Sequence, residues 1–61
     1  MNKVVEILMR RDELTEDEAM DLVEETRDAI MGDPDCAEEI IEDYLGLEMD
    51  YIFDVLEFER K

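Results

Sequence analysis

The sequence predicts an all-α protein, a compact bundle of three to four short helices that forms one domain over residues 1–61. Apolar residues recur at the i, i+3, i+4, i+7 spacing of one helix face in several separate segments. Capping residues, two glycines and one proline fall between these segments, where helices begin and end. Because no segment alternates apolar and polar residues, no strand is predicted.

The first two helices have clear N-terminal signals. Asn2 is a suitable N-cap for a helix over residues 3–11. Thr15 and Glu18 have the spacing of a capping box, in which each side chain accepts a hydrogen bond from the other residue's backbone N–H. The predicted inner face of the first helix consists of Met1, Val4, Val5 and Leu8. That of the second consists of Ala19, Leu22, Val23, Thr26, Ala29 and Ile30.

Glycines mark the ends of the second and third helices. Gly32 and Gly46 are suited to the left-handed conformation that is common just past a helix C-terminus. Asp33 is expected to cap the third helix and Pro34 to lie in its first turn, where a missing N–H costs nothing. The predicted inner face of the third helix consists of Ala37, Ile40, Ile41, Tyr44 and Leu45.

The last segment, EMDYIFDVLEF, is expected to form a fourth helix with Met49, Ile52, Phe53 and Leu56 on its inner face. Further apolar side chains lie beside that face, and together they exceed what one small core buries. This surplus predicts contact with a second copy, in a homodimer, or with another protein, unless the bundle is tight enough to enclose it. The predicted apolar interface consists of Met49, Tyr51, Phe53, Val55 and Phe58.

Composition argues against catalysis. The chain has no His and no Ser, so neither a nucleophilic triad nor a Cys-His pair can form. The stretch GDPDCAEE lacks the ligand spacing of an EF-hand. We therefore predict a non-enzymatic protein with no cofactor and no dedicated metal site. The single Cys36 is expected to be a small filler, since nearby carboxylates oppose the lowering of its thiol pKa by a helix N-terminus.

The formal net charge is -15, from 21 acidic and 6 basic residues. Such a surface repels nucleic acid and anionic lipid, and it favours a basic protein as the partner. No apolar run is long enough for a signal peptide or a membrane span, so a cytoplasmic protein is expected.

The acidic side chains are predicted to form outward rows on three helices. All but one of the acidic residues lie from Asp12 to Glu59, where Arg27 is the single basic residue. Each like-charge pair one turn apart costs about 0.2–0.5 kcal/mol, which suggests that the negative charge is itself used. The rows are Asp17, Asp21, Glu24 and Asp28 on the second helix, Asp35, Glu38 and Glu42 on the third, and Asp50, Asp54 and Glu57 on the fourth.

Regularly spaced carboxylates suggest imitation of a nucleic acid. Residues one turn apart rise by about 5–6 Å along a helix. This rise is close to the distance between phosphates along a nucleic-acid strand, because that strand rises about 3.4 Å per nucleotide and also winds sideways around its axis. Such rows could block a basic, nucleic-acid-binding protein. The alternatives are a small adaptor or dimerisation module whose acidic face only keeps it soluble, and adaptation to high salt.

The run from RRDELTEDEAMDLVEETRDAI through GDPDCAEEIIEDYLGLEMDYIFDVL resembles the short, acidic, all-helical proteins of unassigned role from phages and mobile elements. The resemblance covers most of the chain. Some small acidic phage proteins inhibit host defence or DNA-processing enzymes, so the resemblance implies an inhibitor or modulator. It assigns no role to any individual residue.

Overall fold

A computed structural model of the chain describes residues 2–59. These residues contain helices and connecting turns but no β-strand, which confirms the all-α class. Single turns of 3-10 helix at Pro34–Cys36 and Met49–Tyr51 lead directly into the third and fourth α-helices. The α-helices are α1 (Lys3–Arg11), α2 (Glu16–Gly32), α3 (Ala37–Leu45) and α4 (Ile52–Leu56).

Helix α2 lies at the centre of the bundle and contacts α1, α3 and α4. Its capping box is present, with Thr15 Oγ1 accepting from the Glu18 N–H at 3.2 Å and the Glu18 carboxylate accepting from the Thr15 N–H at 3.0 Å. Thr26 is fully buried, and its hydroxyl is satisfied because it donates to the Leu22 carbonyl at 2.8 Å. The buried side chains of α2 are Ala19, Val23, Thr26 and Ile30.

Asn2 connects the start of α1 to α4. Its Oδ1 accepts from the Val4 and Val5 N–H groups at 2.9 and 3.3 Å, as expected of an N-cap. Its Nδ2 also donates to the Asp54 carbonyl at 2.7 Å, a contact between residues 52 positions apart. Val4, Val5 and Leu8 are buried as predicted, whereas the prediction for Met1 lies outside the described residues.

The two glycines behave differently. Gly46 is left-handed with φ of 66°, and its N–H donates to the Glu42 carbonyl at 2.9 Å, so the predicted end of α3 is confirmed. The same expectation for Gly32 is wrong, because Gly32 is the last residue of α2 and has no positive φ. The chain leaves α2 through Asp33, whose backbone has φ of -147° and ψ of 74°. The prediction that Asp33 caps the third helix is wrong, because its side chain makes no capping hydrogen bond.

Arg11 joins the end of α1 to the end of α3. Its guanidinium donates to the carbonyls of Leu45 and Gly46, the latter at 3.3 Å, and pairs with Asp12 at 2.9 Å. These carbonyls belong to the negative end of the α3 dipole, where a cation is favourable. Arg11 therefore fixes the α3 C-terminus against α1.

The fourth helix is shorter than predicted and presents a different face. Val55 and Phe58 belong to the core, whereas Phe53, expected inside, is 72% exposed. A 3-10 turn has three residues per turn, so it shifts the register of the residues that follow. Tyr44 on α3 is also more exposed than predicted, at 43%, because the buried line on α3 runs through Ala37, Ile41 and Leu45.

Within residues 2–59, no helix has the length and apolar character needed to cross a membrane.

Substitution of Asn2 separates its two contacts. Asn2→Asp keeps an N-cap acceptor but loses the bond to the Asp54 carbonyl, whereas Asn2→Ala loses both. We expect Asn2→Ala to lower the free energy of unfolding by about 1–2 kcal/mol for the cap alone, with the tie to α4 adding to this loss. Asn2→Asp should fall between wild type and Asn2→Ala in urea unfolding. Equal stability of Asn2→Ala and wild type would contradict the role given to Asn2.

Alanine at the two glycines should have opposite effects. Gly46→Ala places a side chain at a left-handed position and should destabilise the protein by about 1–2 kcal/mol. Gly32→Ala is the matched control, since an added Cβ meets no atom within 4 Å there and the backbone is helical. It should stabilise the protein by about 0.4–1 kcal/mol. Urea denaturation of both variants checks the signs, and a stabilising Gly46→Ala would contradict this view of the α3 end.

Candidate functional site

The acidic row predicted on α2 lies on one continuous helix. Asp17, Asp21 and Asp28 are exposed and Glu24 is half-buried. The opposite face of α2 is buried against the other helices, so the row projects from a fixed element. This row is the most regular charged feature among the described residues.

The other two rows are less regular than predicted. Asp35 lies in a 3-10 turn, and only Glu38 and Glu42 stand on α3, one turn apart. Asp50 lies in the second 3-10 turn, Asp54 in α4 and Glu57 after its last residue. The prediction of a straight helical row on the fourth helix is therefore wrong, because α4 is only five residues long.

Glu38 and Glu42 border two grooves in the surface. One, of about 390 Å³, is called the α3 groove below, and the other has a volume of about 330 Å³. The sequence prediction missed Glu39, which lies on α3 itself, and Glu48, which lies in the connection that follows α3. The α3 groove is lined by Glu38, Glu42, Gly46, Leu47, Glu48 and Met49. The second groove is lined by Asp35, Cys36, Glu38, Glu39 and Glu42.

A larger groove of about 530 Å³ lies near the start of α1. Glu57 of the predicted fourth row lines this groove and does not line the α3 groove. The predicted rows are thus distributed over different concave parts of the surface. The lining residues are Asn2, Val5, Glu16, Met20, Glu57, Phe58 and Glu59.

The structure divides the predicted apolar interface. Val55 and Phe58 are buried in the core of this chain, which corrects their assignment to a surface for a partner. Tyr51 is half-buried and packs against the core. Met49 and Phe53 remain exposed, Met49 by 39%, so the candidate apolar surface is smaller than the sequence predicts.

Two arginines are held at helix C-termini. Arg27, half-buried, donates from Nε to the Leu56 carbonyl at 3.3 Å, at the last residue of α4. Arg11 has the corresponding position at α3. Both cations therefore interact with carbonyl groups at negative helix ends. With 21 acidic residues and only 6 basic ones, the surface keeps a large excess of negative charge.

The pKa of the Cys36 thiol lies above its usual value. A hydrogen bond to Asp33 raises the thiol pKa most, and the charge of Asp33, burial and the charge of Glu39 raise it further. Asp33 and Glu39 thus favour the neutral thiol, in the direction that the sequence predicts. Within residues 2–59, no three His, Cys, Asp or Glu side chains are grouped so that they could hold a metal ion.

Comparison of the chain with protein-family models, curated proteins and solved structures gives no match. The acidic surface and the grooves are therefore the features of this chain that indicate a function. The chemistry that they offer is attraction of cationic groups, supplemented by limited apolar contact at Met49 and Phe53.

The effect of Asp33 on Cys36 can be measured by alkylation. Asp33→Asn removes the carboxylate that favours the neutral thiol, so the pKa should fall and the reaction with iodoacetamide at mildly alkaline pH should be several-fold faster. The rate profile should shift to lower pH. Asp43→Asn, which removes an exposed charge that is not among the causes of the shift, is the control. Identical profiles for Asp33→Asn and wild type would show that Asp33 does not control the thiol.

Proposed function

We propose that this chain is a non-enzymatic, acidic protein-binding module that occupies the nucleic-acid-binding surface of a basic protein and so inhibits or modulates it. The observation that carries the proposal is the acidic row on α2. The opposite face of this helix is buried in the core. The row consists of Asp17, Asp21, Glu24 and Asp28. A rigid row holds its carboxylates in place before a partner arrives. Less conformational entropy is then lost on binding.

The dimensions of the row suit a phosphate-binding surface. At about 1.5 Å per residue, Asp17 to Asp28 spans roughly 16 Å, with about 4.5–6 Å between the Cα atoms of successive acidic residues along the axis. A nucleic-acid strand presents one phosphate per about 3.4 Å of axial rise along a winding backbone. The lysine and arginine side chains that bind phosphates are long and flexible enough to reach carboxylates at the spacing of this row as well as phosphates at the spacing of a nucleic-acid strand.

The net charge of -15 supports the same mechanism. A strong negative field attracts a basic protein over a distance of about one Debye length, roughly 8–10 Å at physiological salt. It speeds the encounter and makes affinity fall as salt rises. The resemblance to small acidic phage proteins favours an inhibitor of a DNA-processing or defence enzyme, acting in the cytoplasm without direct contact with nucleic acid or membrane.

A second candidate function is a small adaptor or homodimerisation module that acts through apolar contacts. The exposure of Phe53 favours it, because a large aromatic side chain at the surface is typical of an interface. In this alternative the acidic face only maintains solubility. The two functions differ in which residues the partner requires.

Charge reversal on α2 tests the first function. Asp21→Lys, Glu24→Lys and Asp28→Lys are combined in one row variant, and Glu6→Lys, Glu13→Lys and Glu59→Lys in one control variant with the same change of net charge. Wild type and both variants are immobilised and exposed at low salt to nuclease-treated lysate of the native host. We expect wild type and the control variant to retain a basic nucleic-acid-binding protein, and the row variant to lose at least ten-fold in recovery.

The captured protein should be released by moderate salt and by added nucleic acid, because both compete for the same cationic groups. Circular dichroism confirms that each variant is folded. Equal capture by the row variant and wild type, combined with loss of capture by Phe53→Ser, would replace this function with the adaptor. Equal losses in both triple variants would show that only net charge matters.

A further inference from the structure

We propose that the α3 groove is the docking site for a basic, amphipathic segment of the partner, with Met49 and neighbouring Phe53 contacting its apolar side chains and Glu38, Glu42 and Glu48 its lysines or arginines. This inference rests on the proposed function and specifies where, and with what kind of segment, the partner binds. It assigns a role to the exposed apolar residues that charge mimicry leaves unexplained.

The α3 groove combines two kinds of lining. Three carboxylates surround it, from Glu38, Glu42 and Glu48, while Leu47 and Met49 supply apolar surface. Leu47 is half-buried and packs against the core, which gives this apolar surface a firm base. At about 390 Å³, the volume is within the roughly 300–1,000 Å³ that proteins use to hold ligand groups.

Phe53 is a second exposed apolar residue in the segment that follows the groove. It lies four residues after Met49 and is 72% exposed. Exposed aromatic side chains dominate the energetics of many interfaces. Met49 is unbranched and flexible, so it can adjust to side chains of different shape.

An amphipathic basic segment matches both linings at once. Lysine and arginine carry long aliphatic stems beneath a cationic head, so the stem can cover apolar surface while the head reaches a carboxylate. If the partner's segment is helical, its apolar residues at i, i+3, i+4 and i+7 lie on one face. That face suits the short apolar surface of this protein, which carboxylates border. A purely polar basic chain would leave Met49 and Phe53 exposed.

Charge complementarity argues against a second copy as the occupant. Each chain carries a net charge of -15, and a two-fold contact through the α3 groove would bring Glu38, Glu42 and Glu48 close to the same residues of the other copy. Like charges across an interface cost several kcal/mol. The same carboxylates attract a cationic partner, so the groove favours a basic occupant.

Two synthetic peptides of identical leucine and lysine composition test the proposal. One places its leucines on one helix face, and the other is scrambled so that they are spread around the helix. Calorimetry at low salt should show that wild type binds the amphipathic peptide at least ten-fold more tightly. In ¹⁵N-labelled protein, the largest chemical-shift changes should lie within residues 38–53.

Methionine substitutions supply a matched control. Met49→Ser and Phe53→Ser should each weaken binding of the amphipathic peptide at least five-fold while leaving the scrambled peptide almost unaffected. Met31→Ser makes the same change at a methionine that is 64% exposed and does not line the groove, so its affinity should match wild type. All three positions are exposed, and circular dichroism should show an unchanged helix content.

The outcomes separate the two proposals. Equal affinity for both peptides, with shift changes along Asp17–Asp28, would overturn the docking site and leave the acidic module standing. Failure of both peptides to bind at low salt would overturn both. Light scattering that shows a wild-type dimer and a monomeric Phe53→Ser variant would assign the surface to a second copy and overturn the docking site alone.

Discussion

The buried face of α2 is the constraint on which the structure depends. The other three α-helices among the described residues pack against it, and the Thr26 hydroxyl on this face is satisfied by the Leu22 carbonyl of the same helix. Full burial of one aliphatic side chain is worth about 1.5–3 kcal/mol, several times the cost of about 0.2–0.5 kcal/mol for a like-charge pair on a helix. A small core can therefore hold a densely acidic helix, and it does so in one fixed orientation.

The part of the fold nearest the N-terminus follows from sequence because local and tertiary signals agree there. Asn2, Thr15 and Glu18 have the capping spacing that the structure uses, and α1 spans the predicted residues. Agreement continues through α3, where Ala37, Ile41 and Leu45 are buried and Gly46 ends the helix. It is lost only after the 3-10 turn at Met49–Tyr51, which changes the register of the residues that follow it. A constant period of 3.6 residues then assigns Phe53 to the inside, whereas Val55 takes that position.

The candidate site is predictable to a similar extent. Exposure of Asp17, Asp21 and Asp28 follows from helix periodicity, because their spacing places them opposite the buried face. The α3 groove does not follow from it, since Glu48 and Met49, from the segment after α3, line this groove together with residues of α3. Periodicity within one helix carries no information about a surface that two segments build together.

The large excess of carboxylates in this chain has a thermodynamic consequence. With 21 acidic and 6 basic residues, the cations of the chain cannot balance its negative charge, so mobile cations from solution must gather around the acidic surface. A basic partner would displace those ions into bulk solvent, where they regain translational freedom. Association with this protein would then draw much of its driving force from the entropy of released counterions, as binding to nucleic acid does.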